Sequence, residues 1–199
     1  YLSEWCEVCL DYAKANGIDY IDLRSDRVTG KEFESVIKKK QPKLVIFNGH
    51  GNEEMVTGHK CSPLIQINKN EPLLINKIVY AISCKSAQKL GISCVKNGTL
   101  AYIGYNEDFI FVFDKTKTFD PSEDELARYF LEPSNELILS LLKGNTAKQA
   151  FDNSQLAYNK KIDKLLSSEA PVASENLLWI LFWDRDNQVI IGDGNSSFN

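Results

Sequence analysis

Two histidines, His50 and His59, are all that the 199 residues provide, so proton transfer by imidazole near neutral pH has only two places to reside. Basic charge is short as well: 23 Lys plus Arg stand against 27 Asp plus Glu, giving a net charge of -4 and a pI near 5.3. Without a positive field to draw phosphate backbones, nucleic acid is not an expected partner. Long apolar runs are missing too. The longest, Leu177 to Trp183, falls far below the roughly 20 residues of a bilayer-crossing helix, and no membrane partner is expected. The opening YLSEWCEVCL lacks the basic region, long apolar stretch and small-residue cleavage site of a secretory signal. Five cysteines, Cys6, Cys9, Cys61, Cys84 and Cys94, are odd in number and too sparse for a disulfide scaffold, which points to a reducing, cytoplasmic home. There is no GxxxxGK and no GxGxxG. Nor does a second CxxC or an HxxxH spacing accompany Cys6, Cys9, His50 and His59, so neither a cofactor nor a metal is expected.

What is present suits one globular domain: 43% apolar and 25% charged residues are enough for a sizeable core. Glu4 to Ala15 has apolar residues at helical spacing and an Asn16-Gly17 stop. Ile18 to Leu23 alternates like an edge strand, and Thr29 to Lys40 reads as a helix with a Thr29/Glu32 capping pattern. Lys43 to Asn48, Ile78 to Ser83 and Leu100 to Tyr105 are short apolar segments of the kind found in parallel strands covered on both faces. Between the last two, Ser86 to Leu90 starts a helix closed by Gly91, and Phe109 to Phe113 continues in extended character. Three further helical patterns follow, Asp124 to Leu131, Ser134 to Leu142 and Thr146 to Leu166, separated by Pro133 and by Gly144-Asn145. Leu177 to Trp183 and Val189 to Ile191 read as two closing strands. The alternation predicts an α/β layered domain over residues 1–199 with a mostly parallel sheet. Such a domain ordinarily has a strand ahead of its first helix, so this one reads as able to lack an upstream first strand.

Reactive groups in parallel sheets gather just past the carboxyl ends of strands. His50 stands there in Asn48-Gly49-His50-Gly51, and Cys84 in Ser83-Cys84-Lys85-Ser86. If the two strands are neighbours, imidazole and thiol meet at one rim as a base and a nucleophile. The glycines flanking His50 are expected to allow a sharp turn and to free the Gly51 N–H for an oxyanion. The helix starting at Ser86, with Lys85 nearby, is expected to lower the Cys84 pKa. These groups suit amide hydrolysis through a thioester, with His50 protonating the leaving amine.

Asn48-Gly49-His50-Gly51 and Ser83-Cys84-Lys85-Ser86-Ala87 resemble the His-Gly and Cys boxes of the caspase-like cysteine peptidases, the CHAT and separase branches above all. Gly98 to Tyr105 is similar to the strand after the nucleophile helix, and Leu142 to Ala147 with Ala150 to the opening of the CHAT late helix. The resemblance implies a three-layer caspase-like fold whose mostly parallel central sheet is flanked by helices. It also implies His50 as base, Cys84 as nucleophile, the amides of Gly51 and Cys84 as oxyanion hole, a protein or peptide substrate and a regulatory protein partner. The caspase Gln-Ala-Cys-x-Gly box is absent, since Ile82-Ser83 precedes Cys84, so no preference for aspartate follows. Asn48, Glu107 and Asp108 are the candidate substrate contacts; the last two, with Asp114, would favour a basic side chain.

Two other readings stand beside this one. Trp5-Cys6-Glu7-Val8-Cys9 followed by a helix, with Pro42 ahead of an apolar strand, is similar to a thioredoxin or glutaredoxin active site. A catalytically silent caspase-like interaction module would keep both boxes without turnover.

Overall fold

The computed structural model describes residues 1–167 and 174–198. The expected first helix is two: α1, Leu2–Trp5, and α2, Glu7–Ala15, meet at Cys6, which caps α2. Helix α3, Gly30–Lys40, starts where the Thr29 hydroxyl accepts the Glu32 N–H at 3.2 Å, as its capping pattern foretold. Strand β1, Leu44–Asn48, leads into a short antiparallel pair, β2, Met55–Thr57, and β3, Pro63–Gln66. Strand β4, Ile78–Ile82, is followed by a wide helical turn over Ala87–Gly91 that runs on into α4, Ile92–Lys96. Gly91 therefore does not close this helix. It lets the helix cross Tyr102, whose ring carbon would stand 2.8 Å from a β-carbon at position 91. Strand β5, Ala101–Tyr105, precedes α5, Glu125–Leu142, α6, Ala147–Leu166, α7, Ser174–Asn187, and β6, Gln188–Gly192.

The main sheet has the order β1-β4-β5-β6, with the first three strands parallel and β6 antiparallel to β5. Every residue of β4 and β5 is buried, which is why their sequences are apolar throughout rather than alternating. On one face Val45, Phe47, Val79, Ala81 and Tyr102 pack with Phe33 and Ile37 of α3 and Cys94 of α4. On the other, Ile78, Tyr80, Ile82, Ile103 and Tyr105 pack with Cys9, Leu137, Ile138, Leu141 and Ala150. The molecule is thus a mixed α/β structure, with a mostly parallel sheet between helical layers.

Three expected elements are different. Leu177 to Trp183 is helix, part of α7, not strand. An apolar run of this length suits either element, and burial of Leu177, Leu181 and Asp184 with exposure of Trp179 and Phe182 is the helical period. Pro133 lies inside α5 instead of ending a helix. Both halves present one apolar face, Phe130 and Leu131 before it and Leu137, Ile138 and Leu141 after, and this shared burial outweighs the one backbone bond that proline cannot donate. Ile18 to Leu23 forms no strand, whereas Phe109 to Phe113, expected as extended chain, joins no sheet. The first segment faces the free edge of β1 across a cavity of about 890 Å³, so it has no ladder partner. The second is held by side chains: Phe109, Phe111 and Phe113 stack in series against Tyr105 and Tyr1, with centroids 4.8 to 6.1 Å apart, and the Ile110 N–H donates to Asp184 at 3.0 Å.

Candidate active site

Parallel pairing of β1 with β4 sets Asn48 opposite Ile82, so the chain leaves both strands at the same rim. The Gly49 N–H donates to the Ile82 carbonyl at 3.2 Å and extends the ladder by one bond. His50 follows, exposed, its carbonyl accepting the Thr57 N–H at 2.9 Å and the Thr57 hydroxyl at 3.2 Å. Gly51 bridges Val56 in antiparallel fashion. The bonds around this bridge, Thr57 N–H to His50 and Asn52 N–H to Met55, make it the non-hydrogen-bonded type, in which the Gly51 N–H points away from Val56.

The two glycines do not share a role. Neither has the left-handed backbone that a tight turn demands, which corrects the expected sharp turn. At Gly51 the need is room: a β-carbon there would lie 2.2 Å from the Ser83 hydroxyl oxygen. The His50 loop is thereby pressed onto the residue that precedes Cys84. The Ser83 hydroxyl is buried without a hydrogen-bond partner.

Cys84 is half-buried and a free thiol. Its pKa is raised, not lowered. Burial is the main cause, and the carboxylate of Asp108 adds to it; the backbone N–H groups of Phe109 and Cys84 act the other way. The expected cationic help is spent elsewhere, because the Lys85 ammonium lies 3.8 Å from both Glu107 and Asp108. Lys85 also has φ of 55°, and its N–H donates to the Glu107 carbonyl at 3.1 Å. That left-handed residue turns the chain so that the Glu107–Phe109 loop lies over the thiol. The Trp183 indole fixes the same loop by donating to the Asp108 carbonyl at 2.9 Å.

The structure therefore brings His50, Gly51, Ser83, Cys84 and Asp108 to one rim, and no hydrogen bond joins the His50 ring to the Cys84 thiol. The remaining candidates are engaged. Asn48 helps to lower the pKa of Cys6, and its side-chain oxygen is buried and unpaired. Asp114 binds the Thr116 N–H and hydroxyl, both at 2.8 Å, which holds its carboxyl below the usual range. Sequence reasoning missed Phe109, Ser83 and Trp183 as neighbours of the site. The left-handed Lys85 bonds to the loop that carries Phe109, and a lysine carries no signal for that. Among the described residues no cluster of His, Cys, Asp and Glu is arranged to hold a metal ion, and no helix is long and apolar enough to cross a membrane. No protein-family model matches the chain, and no curated protein matches it.

Proposed function

We propose that this chain is a caspase-like cysteine endopeptidase with the three-layer fold of that family, cleaving peptide bonds through Cys84 and His50. The observation that carries the reading is the contact of Gly51 with Ser83 across paired β1 and β4, which gives base and nucleophile a common rim. Because the resting thiol is held protonated, the route is general-base attack. His50 takes the thiol proton as the sulfur adds to the substrate carbonyl, and the Gly51 and Cys84 amides receive the oxyanion. His50 then gives that proton to the leaving amine, and water hydrolyses the thioester. Hydrogen bonds between nucleophile and base in such dyads often tighten only when substrate is engaged. A basic substrate side chain would have to displace Lys85 from Glu107 and Asp108. Action in the cytoplasm under control of a protein partner completes the proposal.

The test is cleavage of a mixed peptide library, mapped by mass spectrometry, for the unaltered protein, Cys84→Ala and His50→Ala. Cleavage that falls at least about a hundredfold in both variants is expected. Turnover that survives Cys84→Ala would overturn the mechanism. An unaltered protein that cleaves nothing and whose Cys84 resists iodoacetamide at every pH would make the domain a binding module.

A further inference from the structure

We propose that Cys6 and Cys9 are a reversible dithiol–disulfide pair, a redox site separate from Cys84 and independent of peptide hydrolysis. Cys6 caps α2 and Cys9 lies in its first turn. The Cys9 N–H donates to the Cys6 carbonyl at 3.0 Å, an i to i+3 bond that tightens the turn and brings side chains three apart nearly into eclipse. Each thiol acts on the protonation of the other. Both are free and buried, at 8% and 1% exposure, yet both border the 890 Å³ cavity beside β1 that also reaches His50. A small thiol or disulfide has a chamber to enter.

The pair is asymmetric, as a nucleophile and its resolving partner must be. Its neighbour Cys9 is the main influence lowering Cys6, and the Asn48 side chain and the Arg24 guanidinium act in the same direction, against burial and Asp22. Cys9 is pushed up by Cys6, by burial, and by the charge of Glu136. Its sulfur leans on the Asn135 carbonyl at 3.9 Å. Thiolate character thus collects on Cys6, the residue nearer the helix end. Of the other cysteines, Cys94 is buried with its thiol pushed up to about 12.

The chemistry needs a low-molecular-weight disulfide as oxidant. The Cys6 thiolate attacks one of its sulfurs, forming a mixed disulfide and expelling one thiolate. Cys9 gives its proton to that thiolate and attacks the Cys6 sulfur, which breaks the mixed disulfide and releases a second thiolate. That thiolate takes up the proton that Cys6 lost on becoming a thiolate. Two electrons and two protons leave the protein and end on two small thiols. Closure requires α-carbons about 4.4–6.8 Å apart, a span that one tight helical turn supplies.

The experiment equilibrates the native protein with glutathione and oxidised glutathione in stepped ratios, then blocks free thiols and maps peptides. Circular dichroism at each step verifies the fold. Expected is one two-electron transition in which the Tyr1–Lys14 peptide loses two hydrogens. Cys9→Ser should trap glutathione on Cys6, and Cys6→Ser should leave Cys9 unmodified. A pair that stays reduced at every ratio in the folded protein, or glutathione carried on Cys9 in preference to Cys6, would overturn the proposal. The titration of the unaltered chain decides alone if a serine variant does not fold.

Discussion

Gly51 rests on Ser83. A β-carbon on Gly51 would stand 2.2 Å from the Ser83 hydroxyl oxygen and 2.7 Å from the Met55 carbonyl, whereas at Gly49 the nearest such atom, the Thr57 carbonyl, is 3.6 Å away. Gly51→Ala should therefore destabilise the protein by about 1–3 kcal/mol, the range for forcing carbon into filled space. For a chain of this size that is a Tm lower by roughly 2–12 °C. Gly49→Ala should leave Tm unchanged or slightly raised. Adding Ser83→Ala to Gly51→Ala should recover only part of the loss, because the Met55 carbonyl stays. Thermal unfolding of the three variants checks this, and equal losses at both glycines would remove the steric account.

Much of this arrangement is legible in the residues, and the exceptions share a cause. Strands β4 and β5 stand out because burial on both faces leaves only apolar residues to choose from, and the edge strand β1, with Val45 and Phe47 buried, is apolar up to Asn48. Their strand ends mark His50 and Cys84, and the pairing of β1 with β4 gives the two a shared rim. Elements defined by long-range contacts are hidden. Nothing local distinguishes the Leu177–Trp183 run as helix, and β2 and β3 are three and four residues long with a bulge between Val56 and Thr57. The Cys84 pKa escapes a reading of the residues for the same reason. It depends on Asp108 and Phe109, brought over the thiol by the turn at Lys85, and on the loss of Lys85 to an ion pair with Glu107 and Asp108.

Tyr105 is the hub of a buried polar network. Its hydroxyl lies 3.2 Å from Tyr80, 3.3 Å from Ser134, 3.3 Å from Tyr158 and 3.2 Å from the Gln188 amide. Tyr105→Phe keeps the ring but strips partners that have no water to turn to, at a cost of about 1–3 kcal/mol. Urea unfolding measures it, and a loss below about 0.5 kcal/mol would mean that the remaining hydroxyls re-pair among themselves.

Asp184 makes stability fall as pH rises. Its carboxyl is buried, accepts the Ile110 N–H at 3.0 Å through one oxygen and leaves the other unpaired. Burial pushes its pKa well above the carboxylate range. The native state therefore keeps a proton that the unfolded chain gives up near pH 4, and stability declines from there toward the folded pKa, with a slope of at most about 1.4 kcal/mol per pH unit. Asp184→Asn should abolish this decline. Urea titrations at pH 5 and pH 8 would show the wild type losing stability relative to the variant, and parallel behaviour would mean that Asp184 is ionised when folded.

Asp108 adds to the burial that keeps Cys84 from becoming a thiolate. Its carboxylate raises the thiol pKa in addition to burial, so Asp108→Asn should lower that pKa and shift the midpoint of Cys84 alkylation by iodoacetamide to lower pH. At neutral pH the thiolate fraction grows about tenfold for every tenfold gain in the thiol's acidity, and the alkylation rate grows by less, because a more acidic thiol gives a weaker nucleophile. Glu107→Gln is the control: Glu107 lies at the same distance, 3.8 Å, from the Lys85 ammonium but is not among the groups acting on the thiol. Alkylation rates by peptide mapping between pH 6 and 10 separate the two variants. Equal shifts in both would place the effect in the freed Lys85 charge, whereas a shift confined to Asp108→Asn assigns it to the carboxylate beside the sulfur.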